Sequence, residues 1–162
     1  MKKICSFFGH RNADKGLRPA LYAETEKLIT KCQVTTFYLG GYGEFDRMST
    51  IVLKELKQKY PYIEVILILA YLPTKKTNEP EINLYSSTIY PEGLEIVPQR
   101  FAITHRNRWI TEQSEYVIAY VRTRYGGAYG ALRHAKREGK QIINLADGSA
   151  NQKRQCQARD DD

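Results

Sequence analysis

A glycine-rich turn occurs twice at equivalent places in this chain: Gly40-Gly41-Tyr42-Gly43-Glu44-Phe45-Asp46 and Tyr125-Gly126-Gly127-Ala128-Tyr129-Gly130. Each follows a short β-type apolar run, at 35–39 and at 116–121, and each leads within a few residues into a helix-like pattern. Both clusters are therefore strand-to-helix turns. Glycine lets the backbone approach a ligand with no Cβ in the way, and the helix that follows offers unpaired N–H groups and the positive end of its dipole to phosphate. Two such turns on one sheet predict a nucleotide-like ligand.

The rest of the chain alternates in period. Residues 3–8, 35–39, 63–69, 116–121 and 141–145 read as strands, and residues 17–31, 46–60, 101–114 and 128–138 as helices. The second helix has Met48, Ile51, Val52, Leu53 and Leu56 as its apolar side and stops at Pro61. The run at 63–69 is unbroken and apolar, as in a strand buried on both faces. From 73 to 98 the pattern breaks around four prolines. That segment reads equally as a ligand-covering loop or as a short edge strand with its connections. Strands alternating with helices through short connections predict an α/β fold, a mostly parallel sheet of five to six strands covered on both faces. Ligands bind such sheets at the carboxyl ends of the strands, where neighbouring connections diverge. Gly9-His10-Arg11-Asn12, the Gly40 turn and the segment 122–130 should converge there.

Composition bounds the possibilities. A chain of 162 residues can bury a core without disulfides or a structural metal; one domain over 1–147 is expected, with a polar, disordered tail over 148–162. Cys5, Cys32 and Cys156 are odd in number and lack CxxC spacing, and the basic-then-apolar start turns polar at Gly9-His10-Arg11. Apolar runs are far too short to span a bilayer. A reduced, cytoplasmic protein with no membrane partner is expected. The net charge of +7 is spread over helix faces, with Lys54, Lys57 and Lys59 on one and Arg133, Lys136, Arg137 and Lys140 on another. It favours an anionic partner without choosing between a mononucleotide and a polynucleotide.

The candidate ligand-binding residues divide by chemistry. Arg11, Arg108 and Arg122 or Arg124 supply fixed cations, and Gly126 and Gly127 supply N–H donors; pairing with surface carboxylates is the ordinary alternative for the arginines. Glu44 and Asp46 stand where a helix begins and serve either as caps or as acceptors for ribose hydroxyls. With Gly9, Gly40, Gly41 and Gly43 giving close backbone approach, the first glycine turn takes the sugar or base end and the second takes phosphate. His10 ends the first strand and titrates near neutrality in its ordinary state, so it can touch base or phosphate. Tyr125 and Trp109 offer stacking faces, Trp109 equally a core residue. His105 and His134 fall in helical patterns as surface or packing residues. No His/Cys/Asp spacing forms a metal site, and no cofactor is expected.

Phe8-Gly9-His10-Arg11, the turn from Gly40 to Asp46, Arg106-Asn107-Arg108-Trp109 followed by Ser114-Glu115, and Gly126-Gly127 leading into Arg133-His134-Ala135 and Gly139-Lys140-Gln141-Ile142-Ile143-Asn144-Leu145 together resemble the SLOG superfamily. The likeness is to its small YpsA-like branch, related to the LOG phosphoribohydrolases and to the nucleotide-binding fold of DprA. It covers nearly the whole chain except the middle loop and tail, and it rests on the order and spacing of the motifs. The resemblance implies a Rossmann-like three-layer sandwich that binds a nucleotide or nucleotide-derived molecule, often as a sensor, and it suggests a homo-oligomer. In the LOG branch it implies cleavage of the N-glycosidic bond of a nucleoside monophosphate, with an arginine on the helix before the second glycine turn and a glutamate just behind that turn. Arg108 matches the arginine. The glutamate has no match, because Ala131, Leu132 and Arg133 follow Gly130. The expected function is therefore a non-catalytic nucleotide-binding module. The alternatives are an N-glycosidase using Glu44 or Asp46 and a DprA-like binder of single-stranded nucleic acid.

Overall fold

The computed structural model of the chain describes residues 2–72 and 84–147. Strands β1 (Lys3–Gly9), β2 (Val34–Leu39), β3 (Glu64–Ile68), β4 (Ser87–Ile89), β5 (Tyr116–Tyr120) and β6 (Gln141–Asn144) form one sheet in the order β4-β3-β2-β1-β5-β6. Every neighbouring pair is parallel. The connections run through α1 (Arg18–Cys32), α2 (Gly43–Lys59), α3 (Ala102–Gln113) and α4 (Gly127–Arg137).

Parallel strands buried on both faces need apolar residues at consecutive positions, and this chain supplies them. Phe7, Phe37 and Ile118 pack on one face with Leu21 and Leu28 of α1 and Phe45, Val52 and Leu56 of α2. Their sequence neighbours Phe8, Tyr38, Val117 and Ala119 pack on the other, with Ile110 of α3 and Ala131, Leu132 and Ala135 of α4. The alternation of strand side chains splits each run between two cores, and the result is a three-layer sandwich. Trp109, partly buried, stacks on Tyr38 with ring centroids 5.7 Å apart and so packs against the second of these cores. Cys5 is a free thiol buried in the first of these cores, and burial pushes it well above the ordinary thiol range.

Element boundaries follow the apolar patterns closely, with one informative departure. Helix α2 begins at Gly43 rather than at 46, because its first turn is polar on the exposed side and so carries no visible period. Strand β4 pairs with the edge of β3 through Ile66↔Ser87 and Ile68↔Ile89, so the edge-strand reading applies to 87–89. Residues 73–83, where a ligand-covering loop was the other expectation, and the tail at 148–162 lie outside the described residues. Among the described residues no helix is long and apolar enough to cross a membrane.

Candidate functional site

The sheet builds outward from β1 to β4 on one side and returns to β5 and β6 on the other. The connections after β1 and β5 therefore leave toward opposite faces, and the strands part at a topological switch point. A crevice of about 300 Å³ opens there. Gly9, His10 and Arg11 line it from β1, and Gly40, Gly43 and Asp46 from the first glycine turn. Tyr125, Gly126 and Gly127 line it from the second, and Arg106 and Asn107 from α3. The two glycine corners face one common cavity.

Phosphate-binding capacity is concentrated at α4. Gly126 is the residue before its first turn, at φ 91° and ψ 176°, and no side chain caps the helix. A Cβ at Gly126 would meet nothing within 4 Å, so the backbone angle and not the space is what calls for glycine. The first internal bond runs from the Gly130 N–H to the Gly126 carbonyl at 3.0 Å. The preceding amides of Gly127, Ala128 and Tyr129 thus have no partner within the helix, and Gly127 and Ala128 border the crevice. Arg11 adds an exposed cation on the opposite wall, and Tyr125, 76% exposed, adds a ring face.

Arg106 is the group that reading the sequence overlooked. It is only 3% exposed. Its Nη1 donates to the Gly40 carbonyl at 2.9 Å and to the Ile68 carbonyl at 3.3 Å, and its Nε donates to Asn107 Oδ1 at 3.1 Å. The guanidinium also lies 5.5 Å from the centroid of the Tyr42 ring. A Cβ on Gly40 would come within 2.9 Å of the guanidinium carbon, so Gly40 is needed for the approach of Arg106 rather than of a ligand. A signal was present in the sequence. Ala102, Arg106 and Ile110 share one i, i+4, i+8 stripe of α3, and all three are buried.

Asp46 is half-buried at the crevice wall and accepts from the Tyr42 backbone N–H at 3.2 Å, so it closes the first turn of α2 and faces the cavity at once. Burial raises its carboxyl from the ordinary 3.8 to about 7, against the opposing pull of the Tyr42 N–H, the Arg106 charge and the Gly41 N–H. Because the folded value lies above the unfolded one, the folded state holds its proton longer, and stability is lost as pH rises from about 4 to about 7. Across that window the wild-type Tm is expected to fall more steeply than that of Asp46→Asn. Parallel Tm profiles for the two proteins would mean that the carboxyl is ionised throughout.

His10 is held by the Arg122 N–H, which donates to its Nε2 at 2.7 Å. Burial first, then the Arg122 charge, lowers its pKa from 6.5. The ring is neutral at pH 7 with its proton on Nδ1, as this hydrogen bond assigns it. The expected titration near neutrality is thereby displaced to lower pH.

Five of the expected residues lie elsewhere. Glu44 accepts from the Ala13 N–H at 3.1 Å while its own N–H donates to the Arg11 carbonyl at 2.8 Å, so it braces the loop after β1 and does not line the crevice. Gly41 is turned toward Leu67 and Tyr85. Arg122 is exposed, its guanidinium 5.1 Å from the Tyr120 ring centroid. Arg108 faces a neighbouring cleft between α3 and α4. Arg124 is likewise exposed and outside the crevice lining. Among the described residues no cluster of His, Cys, Asp and Glu could hold a metal ion.

No protein-family model matches this chain, and no curated protein matches it in sequence. Solved structures do. DNA processing protein A from Streptococcus pneumoniae superposes with a TM-score of 0.65 at 15% identity, over 87% of this chain and 49% of that one. DNA processing protein A from Helicobacter pylori, described for its single-stranded DNA binding mode, gives 0.60 at 14% identity over 86% of this chain and 63% of that one. The structural-genomics target TM1055 gives 0.57 at 15% identity over 87% and 72%. The chain spans about half to two-thirds of the length of the two DNA processing proteins. Identities this low speak to architecture alone, and the architecture is an α/β Rossmann-like fold.

Proposed function

We propose that this protein binds a nucleotide or nucleotide-derived molecule in the crevice, as a non-catalytic module of the YpsA-like kind. The observation that carries the reading is the meeting of the two glycine corners on one cavity, with the uncapped amino terminus of α4 on one side and Asp46 on the other. Phosphate sits on the amides of Gly127 and Ala128 with Arg11 opposite, and the sugar hydroxyls meet Asp46. With its carboxyl near neutrality, Asp46 can accept from a hydroxyl when ionised and donate when protonated. Hydrolysis is disfavoured because Ala131, Leu132 and Arg133, and no carboxylate, stand just behind Gly130 and because Glu44 is engaged with Ala13.

Mass spectrometry of small molecules released from the heat-denatured protein, followed by calorimetric titration of the nucleotides found, tests the reading. Gly126→Ala is expected to weaken binding about tenfold, since a side chain strains this positive-φ, extended backbone angle by about 1–3 kcal/mol and displaces the amides. No nucleotide released and none bound at millimolar concentration would refute it. Release of free base from a nucleoside monophosphate would instead make Asp46 a general acid or base. The likeness to a DNA processing protein described for single-stranded DNA binding favours a second reading, a polynucleotide in the same crevice. A steep salt dependence of oligonucleotide affinity is its signature.

A further inference from the structure

The α3–α4 cleft is a second cavity, of about 370 Å³, and its lining has one sign of charge. Arg108 enters from α3, and Arg133 and Arg137 enter from α4, one helical turn apart on the same face. No carboxylate lines it. Among the described residues the ion pairs involve Lys2, Arg18, Lys59 and His134, so none of the three arginines has a carboxylate within 4 Å. His134, also in the lining, has Glu112 3.9 Å from its Nε2.

An unneutralised cluster of this kind costs stability, because like charges four apart on a helix repel. The carboxyl-terminal dipole of α4 accounts for Arg137, which stands in the last turn. It accounts neither for Arg133, outside that last-turn group and 5.9 Å from the Tyr129 ring centroid, nor for Arg108 on the facing helix. Ile103, Asn107, Gly126 and Gly127 line both this cleft and the crevice, so the two cavities meet at the amino terminus of α4.

We infer that the α3–α4 cleft is a second phosphate subsite, and that the ligand is a nucleotide carrying two separated phosphate groups, of the dinucleotide class. One phosphate lies on the α4 amides, and the other passes the Gly126-Gly127 saddle to reach Arg108, Arg133 and Arg137. Arginine suits the second position because its planar fork bonds two phosphate oxygens at once. The inference rests on the nucleotide reading of the crevice, and both cavities fall in the size range of small-molecule sites.

The test compares wild type with the double variant Arg133→Gln/Arg137→Gln, whose positions are exposed and whose replacements are good helix formers. Calorimetry uses nucleoside monophosphates, linear dinucleotides with a 5′-phosphate, and longer oligonucleotides at one ionic strength. Wild type should bind the dinucleotides at least tenfold more tightly than the monophosphates. In the variant that advantage should vanish while monophosphate affinity stays within about twofold. Equal affinity for the two ligand classes in wild type, or a variant that loses both equally, would overturn the subsite and leave the crevice reading in place. Affinity that keeps rising with oligonucleotide length would overturn it in favour of a polynucleotide track. A separate titration with inorganic pyrophosphate follows the side-chain Nε–Hε NMR signals of Arg108, Arg133 and Arg137. These should shift saturably, and far more than in chloride of equal ionic strength. Unmoved signals would eliminate the cleft as an anion site whatever the crevice does; shifted signals without any nucleotide binding would eliminate the crevice reading and keep the cleft.

Discussion

Arg106→Ala is expected to lower the unfolding free energy by about 3–5 kcal/mol, the range seen when one member of a buried charged arrangement is removed. The side chain crosses the sheet edge to tie α3 to the ends of β2 and β3, since its Nη1 holds the carbonyls of Gly40 and Ile68. Truncation takes that donor from both carbonyls and opens a cavity where the guanidinium stood. Asp46 also loses the nearby positive charge that opposes its desolvation, so its carboxyl should rise further above about 7. Arg106→Lys keeps the charge but not the fork, and an intermediate loss is expected. Urea denaturation measures both variants. A loss below about 1 kcal/mol for the alanine variant would show that the carbonyls find other partners and that Arg106 does not organise the crevice.

Gly9→Ala should be nearly as damaging, by about 3 kcal/mol, the upper part of the range for overpacking a filled core. A Cβ at that position falls 2.2 Å from Cδ1 of Phe45, 2.3 Å from its Cγ and 2.7 Å from its Cβ. Rotation of the ring relieves the first two contacts but not the third. The first turn of α2 must therefore shift, and Gly43 and Asp46 shift with it. Phe45 is fully buried, so Phe45→Ala alone is also costly, by roughly 3–5 kcal/mol. The double variant should be more stable than the sum of the two losses predicts, with a coupling of at least about 1 kcal/mol. Additive losses would mean that the clash is not the cause.

Much of the fold was legible because its signals are local. Consecutive apolar residues such as Phe7-Phe8 and Phe37-Tyr38 announce strands covered on both faces, and the structure divides each pair between two cores. Strand β4 was not legible as such, because three residues carry no period. The glycine turns were also visible, but the reasons for the individual glycines were not. Gly40 makes room for Arg106 and Gly9 for Phe45, whereas Gly126 stands in open space with an angle that requires it.

The charged residues show where reading from the sequence ends. Arg106 and Arg108 are two positions apart, and so are Glu44 and Asp46, which puts the members of each pair about 200° apart around their helices. One of each pair lines the crevice and the other does not. Charge and spacing are the same for either choice; only the apolar stripe shared by Ala102, Arg106 and Ile110 leaned toward the right arginine.

The chain by itself determined the succession of strands and helices and set its glycine corners at the carboxyl ends of β2 and β5, because periodicity and glycine act over a few residues. The tertiary structure alone decided which guanidinium is buried against Gly40, which carboxyl is lifted toward neutrality, and which arginines gather between α3 and α4. Those outcomes depend on how each helix is rotated about its axis, and that rotation is fixed by packing against the sheet among residues far apart in sequence.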